Sequence, residues 1–329
     1  MYKDEDLNIA IKDGIFSQND VNEFRKSISI SKESSLPDEE NFKLVGGFND
    51  IFVVIACILL LSSSVFVLSP MSESLGYISF ILISWVLAEF FVLKRKMSLP
   101  AIVLLISFVG GVFSFVSSYT SELGEFYIGA AASTFAAYLH WIRFKVPITI
   151  AAGTISLIVL IISSIVSIFP SSLDYILLMA FIFGISAFLF AMYWDSSDTS
   201  RTTRKSDVAF WLHLVSAPLI IHPSFSFLGI YSGNDSFFSM FSIIILYVLM
   251  TIVSIIIDRR AFMVSSLVYV LYALSSIIET YGGVAYSFAL TGVFMGASLL
   301  VLSAFWHRVR KYLLSKLPSQ IKSYIPKVN

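Results

Sequence analysis

The chain has 329 residues, of which 57% are hydrophobic and 13% are charged, and its mean hydropathy is +0.84. Soluble domains carry roughly 25% charged residues, so this composition excludes an ordinary water-soluble protein and favours an integral membrane protein. The 22 basic and 22 acidic residues balance, and a balanced chain gives no reason to expect a nucleic-acid partner.

Residues 1–48 are polar and form the first predicted unit, a cytosolic helical stub followed by a tether. Ser17 and Asp20 have the spacing of a capping box, which predicts a short helix with Val21, Phe24 and Ile28 on its apolar face. A stub of this size is too small to bury a core of its own. We therefore expect it to dock on the membrane domain, on lipid or on a cytosolic protein partner.

Ten apolar segments follow, each close to the roughly 20 residues with which a helix crosses a hydrocarbon core of about 30 Å. Continuous apolar runs indicate helices, because a membrane β-strand would alternate polar and apolar residues. The sequence thus predicts an all-α, polytopic transmembrane bundle over residues 49–306. Its spans are expected at 49–69, 74–93, 100–119, 125–142, 147–168, 173–194, 207–227, 236–257, 261–279 and 284–306.

The Lys and Arg residues predict the orientation of this bundle. All of them lie in the terminal segments or in every second gap between spans, whereas the other gaps hold only acidic and neutral residues. Because cationic loops stay in the cytoplasm during insertion, both termini are expected to be cytoplasmic. The basic clusters between and after the spans lie at residues 94–96, 143–145, 201–205, 259–260 and 308–311.

Residues 307–329 form the last predicted unit. Leu and Ile recur there at helical spacing among Lys and Arg. This pattern predicts a basic amphipathic helix at the membrane surface, broken at Pro318.

Small residues predict where helices approach one another closely. Gly292 and Gly296 form a GxxxG pair, and Gly111 and Gly129 lie in other small-residue stretches. We expect these glycines to pack against helices of the same chain more often than against a second copy.

Four stretches of the chain carry a resemblance to known sequences. They are KDGIFSQND (Lys12–Asp20), GFNDIFVVI (Gly47–Ile55), LHWIRFKVPITIAAG (Leu139–Gly153) and FWLHLVSAPLIIHP (Phe210–Pro223). These stretches resemble uncharacterised bacterial multi-span membrane proteins of unknown function that carry a short N-terminal helical stub. The resemblance implies a multi-pass protein of the bacterial inner membrane, and it implies no activity.

Glu89, His140 and His213 are the candidate functional residues inside the spans. A charged side chain at a helix centre costs about 2.5–3.5 kcal/mol on insertion, so each needs a reason to be there. All three fall in the cytoplasmic third of the membrane, where a shared site could bind a divalent metal or relay protons. The alternative is that Glu89 pairs with a nearby Lys or Arg and that the histidines form hydrogen bonds to neighbouring helices.

Pro218 and Pro223 make the seventh span a candidate hinge. Pro218 removes the backbone hydrogen bond to residue 214 and predicts a kink, and Pro223 is expected to end the regular part of the span. A kinked span that carries His213 would be a moving part, although kinks also occur in static bundles.

The sequence leaves three functions open. No phosphate-binding loop, hydrolase elbow or zinc-protease motif occurs, so no cofactor is expected and hydrolytic enzymes have little support. Cys57 is the single cysteine, which excludes a disulfide within the chain. The leading hypothesis is a carrier for a small solute or lipid. The alternatives are a membrane-embedded regulatory or scaffold protein that uses residues 1–48, and an inner-face enzyme that uses Glu89, His140 and His213.

Overall fold

The computed structural model describes residues 11, 13, 15–21, 23, 48–119, 126–201, 203–229, 237–282, 286–322 and 324–326. Within these ranges the backbone forms helices and turns and no strand, which confirms the predicted all-α class. Eleven α-helices lie between residues 48 and 322. They are α1 (Phe48–Leu68), α2 (Glu73–Ala88), α3 (Ser98–Ser117), α4 (Phe126–Phe144), α5 (Ile148–Ile168), α6 (Ile176–Ser196), α7 (Arg204–Phe227), α8 (Phe237–Ile257), α9 (Ala261–Gly282), α10 (Ser287–Lys316) and α11 (Ser319–Lys322).

Helices α1 to α10 follow the ten predicted spans in order. Nine helical segments of the described residues are long and apolar enough to cross a membrane, with mean hydropathies between 1.4 and 2.9. The molecule is therefore built as a multi-pass membrane protein. Helix α4 is not among the nine, because its small and polar residues, together with His140 and Arg143, lower its hydropathy. That α4 also crosses the membrane stays a prediction.

Four short turns join α2 to α3, α4 to α5, α6 to α7 and α8 to α9. Each turn contains a residue other than glycine in the left-handed region, with φ between 53° and 58°. The left-handed conformation ends the preceding helix and reverses the chain. We call the end of the bundle at which these turns lie the basic end. The four residues are Lys96, Lys145, Arg201 and Asp258.

Helix α7 is the centre of the bundle and packs against α5, α6 and α9. Within the most apolar window of α7, 56% of the residues are buried, against 11–39% in the other eight candidate spans. Its inner face carries Ala217, Ile221 and Phe225, which belong to one apolar cluster with Met240 and Ile243 of α8. The most buried helix is thus also the least apolar of the nine, and its polar side chains must find partners inside the protein.

Helix α7 also corrects one prediction. It continues through both prolines to Phe227, so the expectation that Pro223 ends its regular part is wrong. A proline removes only one N–H group, and hydroxyl groups in a membrane helix can bond to nearby carbonyls instead. Ser224, directly after Pro223, donates its Oγ hydroxyl to the Ile220 carbonyl at 2.7 Å, next to the Leu219 carbonyl that Pro223 leaves without its helical donor.

Glycines show where helices approach most closely. A Cβ atom at Gly184 of α6 would lie 2.9 Å from the backbone carbon of Leu219 in α7. Gly111 and Gly129 likewise contact neighbouring helices, as expected. Gly292 and Gly296 do not, because a Cβ atom there would meet nothing within 4 Å. The predicted packing of the GxxxG pair within the chain is therefore wrong for the described residues, since α10 buries a different face. That face carries Ser287, Thr291, Met295, Trp306, Arg310 and Leu314.

The two terminal predictions are tested in part. Ser17 and Asp20 form the expected capping box, with Ser17 N donating to Asp20 Oδ2 at 2.9 Å and Asp20 N donating to Ser17 Oγ at 3.1 Å. These hydrogen bonds lower the pKa of Asp20. Val21 is buried, whereas Phe24 and Ile28 lie outside the described residues. At the other terminus the helix breaks at Pro318 as predicted, but α10 runs unbroken across the expected domain boundary after residue 306.

Candidate functional site

Glu89 begins a π-helical turn, Glu89–Lys94, that continues α2 at the basic end. Arg143 of α4 holds its carboxylate with two hydrogen bonds, from Nε to Oε1 and from Nη2 to Oε2, both at 2.7 Å. The two side chains are 34% and 53% exposed. The expectation that Glu89 pairs with a nearby base is confirmed.

His140 of α4 is buried among aromatic rings. Its Nδ1 atom lies 3.2 Å from Thr149 Oγ1 of α5, and its ring packs 4.5 Å from the Phe144 ring. Trp85 and Phe108 complete the surroundings. The expected hydrogen bond to a neighbouring helix is therefore present.

His213 of α7 is completely buried, and its Nε2 atom lies 2.9 Å from Asp195 Oδ2 of α6. Glu89 and His140 share Trp85 as a neighbour but have different hydrogen-bond partners across helices, and His213 shares none of them. In the part of the chain that the structure describes, no group of three or more His, Cys, Asp or Glu side chains could hold a metal ion. A metal site shared by these three residues has no support there.

Asp195 instead belongs to a buried ion pair that the sequence did not predict. Arg259 Nη2 donates to Asp195 Oδ1 at 2.6 Å, and Arg259 Nε donates to Oδ2 at 3.3 Å. The same Nη2 lies 3.0 Å from Ser206 Oγ and 3.1 Å from the Ser206 carbonyl oxygen. The side chains of Asp195 and Arg259 are 0% and 3% exposed. The Asp195 carboxylate therefore contacts both the Arg259 guanidinium and the His213 imidazole.

Asp258 forms the second half of this cluster. Its Oδ2 accepts from Arg201 Nη1 at 2.9 Å, and its Oδ1 accepts from Trp306 Nε1 at 2.8 Å. Arg310 Nη1 lies 3.5 Å from Oδ2, while Arg310 Nη2 donates to the Pro326 carbonyl at 2.6 Å. We call Asp195, Ser206, His213, Arg259, Asp258, Arg201, Trp306 and Arg310 the buried network.

The three side chains of the buried network that carry a permanent positive charge are all arginines. Arg201 lies in the turn between α6 and α7, and burial lowers its pKa. An arginine keeps its charge even so, because its ordinary pKa exceeds 12. Its five donors also suit a carboxylate and a carbonyl at once. Every lysine of the described residues is exposed instead; these are Lys94, Lys96, Lys145, Lys205, Lys311, Lys316 and Lys322.

The buried network connects segments that are far apart in the chain. It joins α6, α7, the α8–α9 turn, α10 and the C-terminal residues 324–326. His213 adds the one side chain whose ordinary pKa lies near neutrality. Its Nδ1 atom is buried without a hydrogen-bond partner among the described residues. This arrangement brings two carboxylates, three guanidinium groups and one imidazole into a single buried cluster.

The sequence contained one signal for this cluster. Arg259 belongs to one of the basic clusters that predict the orientation of the bundle. Asp258 stands directly before Arg259, in a turn whose cations predict the orientation of the bundle. Acids contribute little to membrane orientation, so an acid beside an arginine in such a turn indicates an ion pair.

Comparison with known proteins gives no relative: no family model, no curated protein and no solved structure matches the chain. The resemblance to uncharacterised bacterial membrane proteins therefore stays a prediction, and function must be argued from the buried network.

Proposed function

We propose that this protein is a small-solute carrier of the bacterial inner membrane, in which the buried network closes the cytoplasmic side. The proposal takes the basic end as cytoplasmic, because the Lys and Arg residues described between 48 and 326 lie in its turns, next to them or in the C-terminal part of the chain. The observation that carries the proposal is the pair Asp195–Arg259, two charges sealed from solvent between helices of different hairpins.

The energetic cost of such a pair favours a switch over a static support. Moving a charge out of water costs several kcal/mol per ion, and buried ion pairs can often be replaced by apolar residues without loss of stability. Ion pairs that form in one conformation and break in another are a recurrent means of switching membrane and soluble proteins between states. A carrier needs such a closure on each side of its solute path.

The placement of the network fits this role. Arg259 and Asp258 belong to the α8–α9 turn, whereas Asp195 and Arg201 belong to the end of α6 and the turn after it. Separation of these two hairpins would break both ion pairs at once. Helix α7 is the arm of the α6–α7 hairpin that contacts α9 of the other hairpin, and it contains Pro218 and Pro223, which lack the N–H groups that would stiffen it. The scaffold alternative depends on residues 1–48, most of which lie outside the described residues.

The experiment measures access of water to the centre of the bundle. In a Cys57→Ser background, Ser216→Cys places the only thiol on α7 at a fully buried position, one turn from His213. A membrane-impermeant maleimide is added to right-side-out and inverted vesicles. Asp195→Ala with Arg259→Ala removes both charges of the closure together, and Glu89→Ala with Arg143→Ala is the matched control at the exposed pair.

We expect the thiol to react slowly in the otherwise unchanged protein. In the Asp195/Arg259 variant it should react at least about ten times faster with maleimide added from the basic end. A loss of about 1.4 kcal/mol in the free energy that favours the closed state gives that factor. The control pair should leave the rate unchanged. Equal rates in both double variants, or no reaction from either side in any of them, would show that no gate exists.

A further inference from the structure

Two connections at the basic end form a separate surface in the first half of the chain. They are the α2–α3 connection, residues 89–97, and the last turn of α4 with the α4–α5 connection, residues 141–147. The two hydrogen bonds between Arg143 and Glu89 join them directly. Phe144 strengthens this junction, because it packs with Phe91 and Leu93 in one apolar cluster.

This surface carries unbalanced positive charge. Glu89 neutralises Arg143, but no acid of the described residues forms an ion pair with any of the four remaining cations, all of which are exposed. In the second half the corresponding connections contain four acids beside their five cations, and two ion pairs of the buried network, Arg201–Asp258 and Arg259–Asp195, neutralise part of that charge. The four cations of the first half are Lys94, Arg95, Lys96 and Lys145.

Aromatic rings hold these cations at the edge of the apolar surface. Lys94 Nζ and the Arg95 guanidinium lie 6.0 and 5.7 Å from the centre of the Phe90 ring. Lys145 Nζ lies 5.3 Å from the Trp141 ring in the other connection. Phe90 is itself 43% exposed. Exposed rings beneath cations are typical of the boundary between the acyl chains and the headgroups of a membrane.

We propose that this surface binds the headgroup of an anionic phospholipid. The phosphate of the lipid accepts hydrogen bonds from Lys94, Arg95 and Lys145, while its acyl chains cover the exposed Phe90 and Ile142 side chains. The exposed apolar residues beside the cations favour a lipid over a soluble anion, which would leave them in water. The proposal depends on insertion in a membrane and not on the carrier function.

The test uses the purified full-length chain in detergent and native mass spectrometry with phosphatidylglycerol or phosphatidylcholine. Lys94→Gln with Lys145→Gln removes two charges from the proposed surface. Arg204→Gln with Lys205→Gln removes two exposed charges from the second half and is the matched control. Because all four side chains are exposed, both variants should keep the fold, which circular dichroism checks.

We expect the unchanged protein to retain phosphatidylglycerol in preference to phosphatidylcholine. The Lys94/Lys145 variant should bind phosphatidylglycerol about tenfold more weakly, and the Arg204/Lys205 variant less than about twofold more weakly. Equal losses in the two variants, or no loss in either, would refute a localised lipid site. Displacement of the lipid by an excess of inorganic phosphate would show that the surface binds a soluble anion instead.

Discussion

Two ion pairs at the basic end have nearly the same geometry and opposite surroundings. In the first half of the chain Arg143 binds Glu89 through two bonds of 2.7 Å, and in the second half Arg259 binds Asp195 through bonds of 2.6 and 3.3 Å. The first pair is 53% and 34% exposed, and the second is 3% and 0% exposed. Bond lengths alone therefore say little about what a pair contributes. Burial decides how much free energy is lost when one partner is removed.

The largest effect should come from removing one partner of the buried pair. Asp195→Ala leaves Arg259 buried without its counter-ion and His213 without its acceptor, so we expect the free energy of unfolding to fall by about 3–5 kcal/mol. Equilibrium unfolding in mixed micelles of mild detergent and dodecyl sulfate measures the change. The Asp195→Ala/Arg259→Ala double variant should lose less than the single variant. A single-variant loss below that of Glu89→Ala would overturn the comparison.

A change that keeps the charge tests the geometry of the same pair. Arg259→Lys retains a cation, but a single ammonium group cannot contact both carboxylate oxygens of Asp195 and also Ser206. We therefore expect the free energy of unfolding to fall by about 1.5–3 kcal/mol. The same unfolding experiment on Arg143→Lys provides the reference, with a much smaller expected loss because solvent screens that pair. Similar losses in the two variants would mean that charge, and not the planar donor set, stabilises the buried pair.

Glycine contacts extend the comparison from charge to packing. A Cβ atom at Gly184, in the second half, would meet backbone of α7 at 2.9 Å, whereas one at Gly111, in the first half, would meet the ends of the Phe80 and Ile81 side chains at 2.9 and 3.0 Å. Side-chain ends can shift and backbone cannot, so Gly184→Ala should cost about 1–3 kcal/mol and Gly111→Ala less. Thermal unfolding of the two variants side by side measures the difference, and the opposite order would contradict it.

The smallest effect is expected at the exposed pair. Glu89→Ala should lower the free energy of unfolding less than any of the changes above that lie outside this pair, because solvent screens both charges. The loss should shrink further when the ionic strength is raised. Unfolding at low and high salt tests this, and a loss that is large and independent of salt would show that the pair is shielded from ions.

The positions of the helices were predictable because they follow from a single property, the length of each apolar run. The fifth and ninth spans, expected at 147–168 and 261–279, are observed as Ile148–Ile168 and Ala261–Gly282. The pairing of Glu89 with a base was also predictable, since the cations of the same membrane side lie close to it in depth.

The buried network was not predictable in the same way. The residue number gives the depth of a side chain along its helix. The direction in which the side chain leaves the helix shows its partner only when the neighbouring helices are known. Asp195 and Arg259 are separated by two helices in the chain and meet because α6, α7 and the α8–α9 turn are adjacent in space. The outward direction of Gly292 and Gly296 was missed for the same reason, because nothing in a GxxxG spacing says whether a partner helix faces it.

Helix α10 carries both an apolar part and the side chains that contact Asp258, so the two parts have a fixed rotation relative to each other. It is one helix of 30 residues, about 45 Å long at 1.5 Å per residue. Trp306 and Arg310 lie one turn apart on it and both contact Asp258. Loss or gain of a single residue in the apolar half of α10 would rotate both side chains by about 100° and carry them away from that carboxylate. The contacts of Trp306 and Arg310 with Asp258 therefore fix the number of residues in the apolar part of α10.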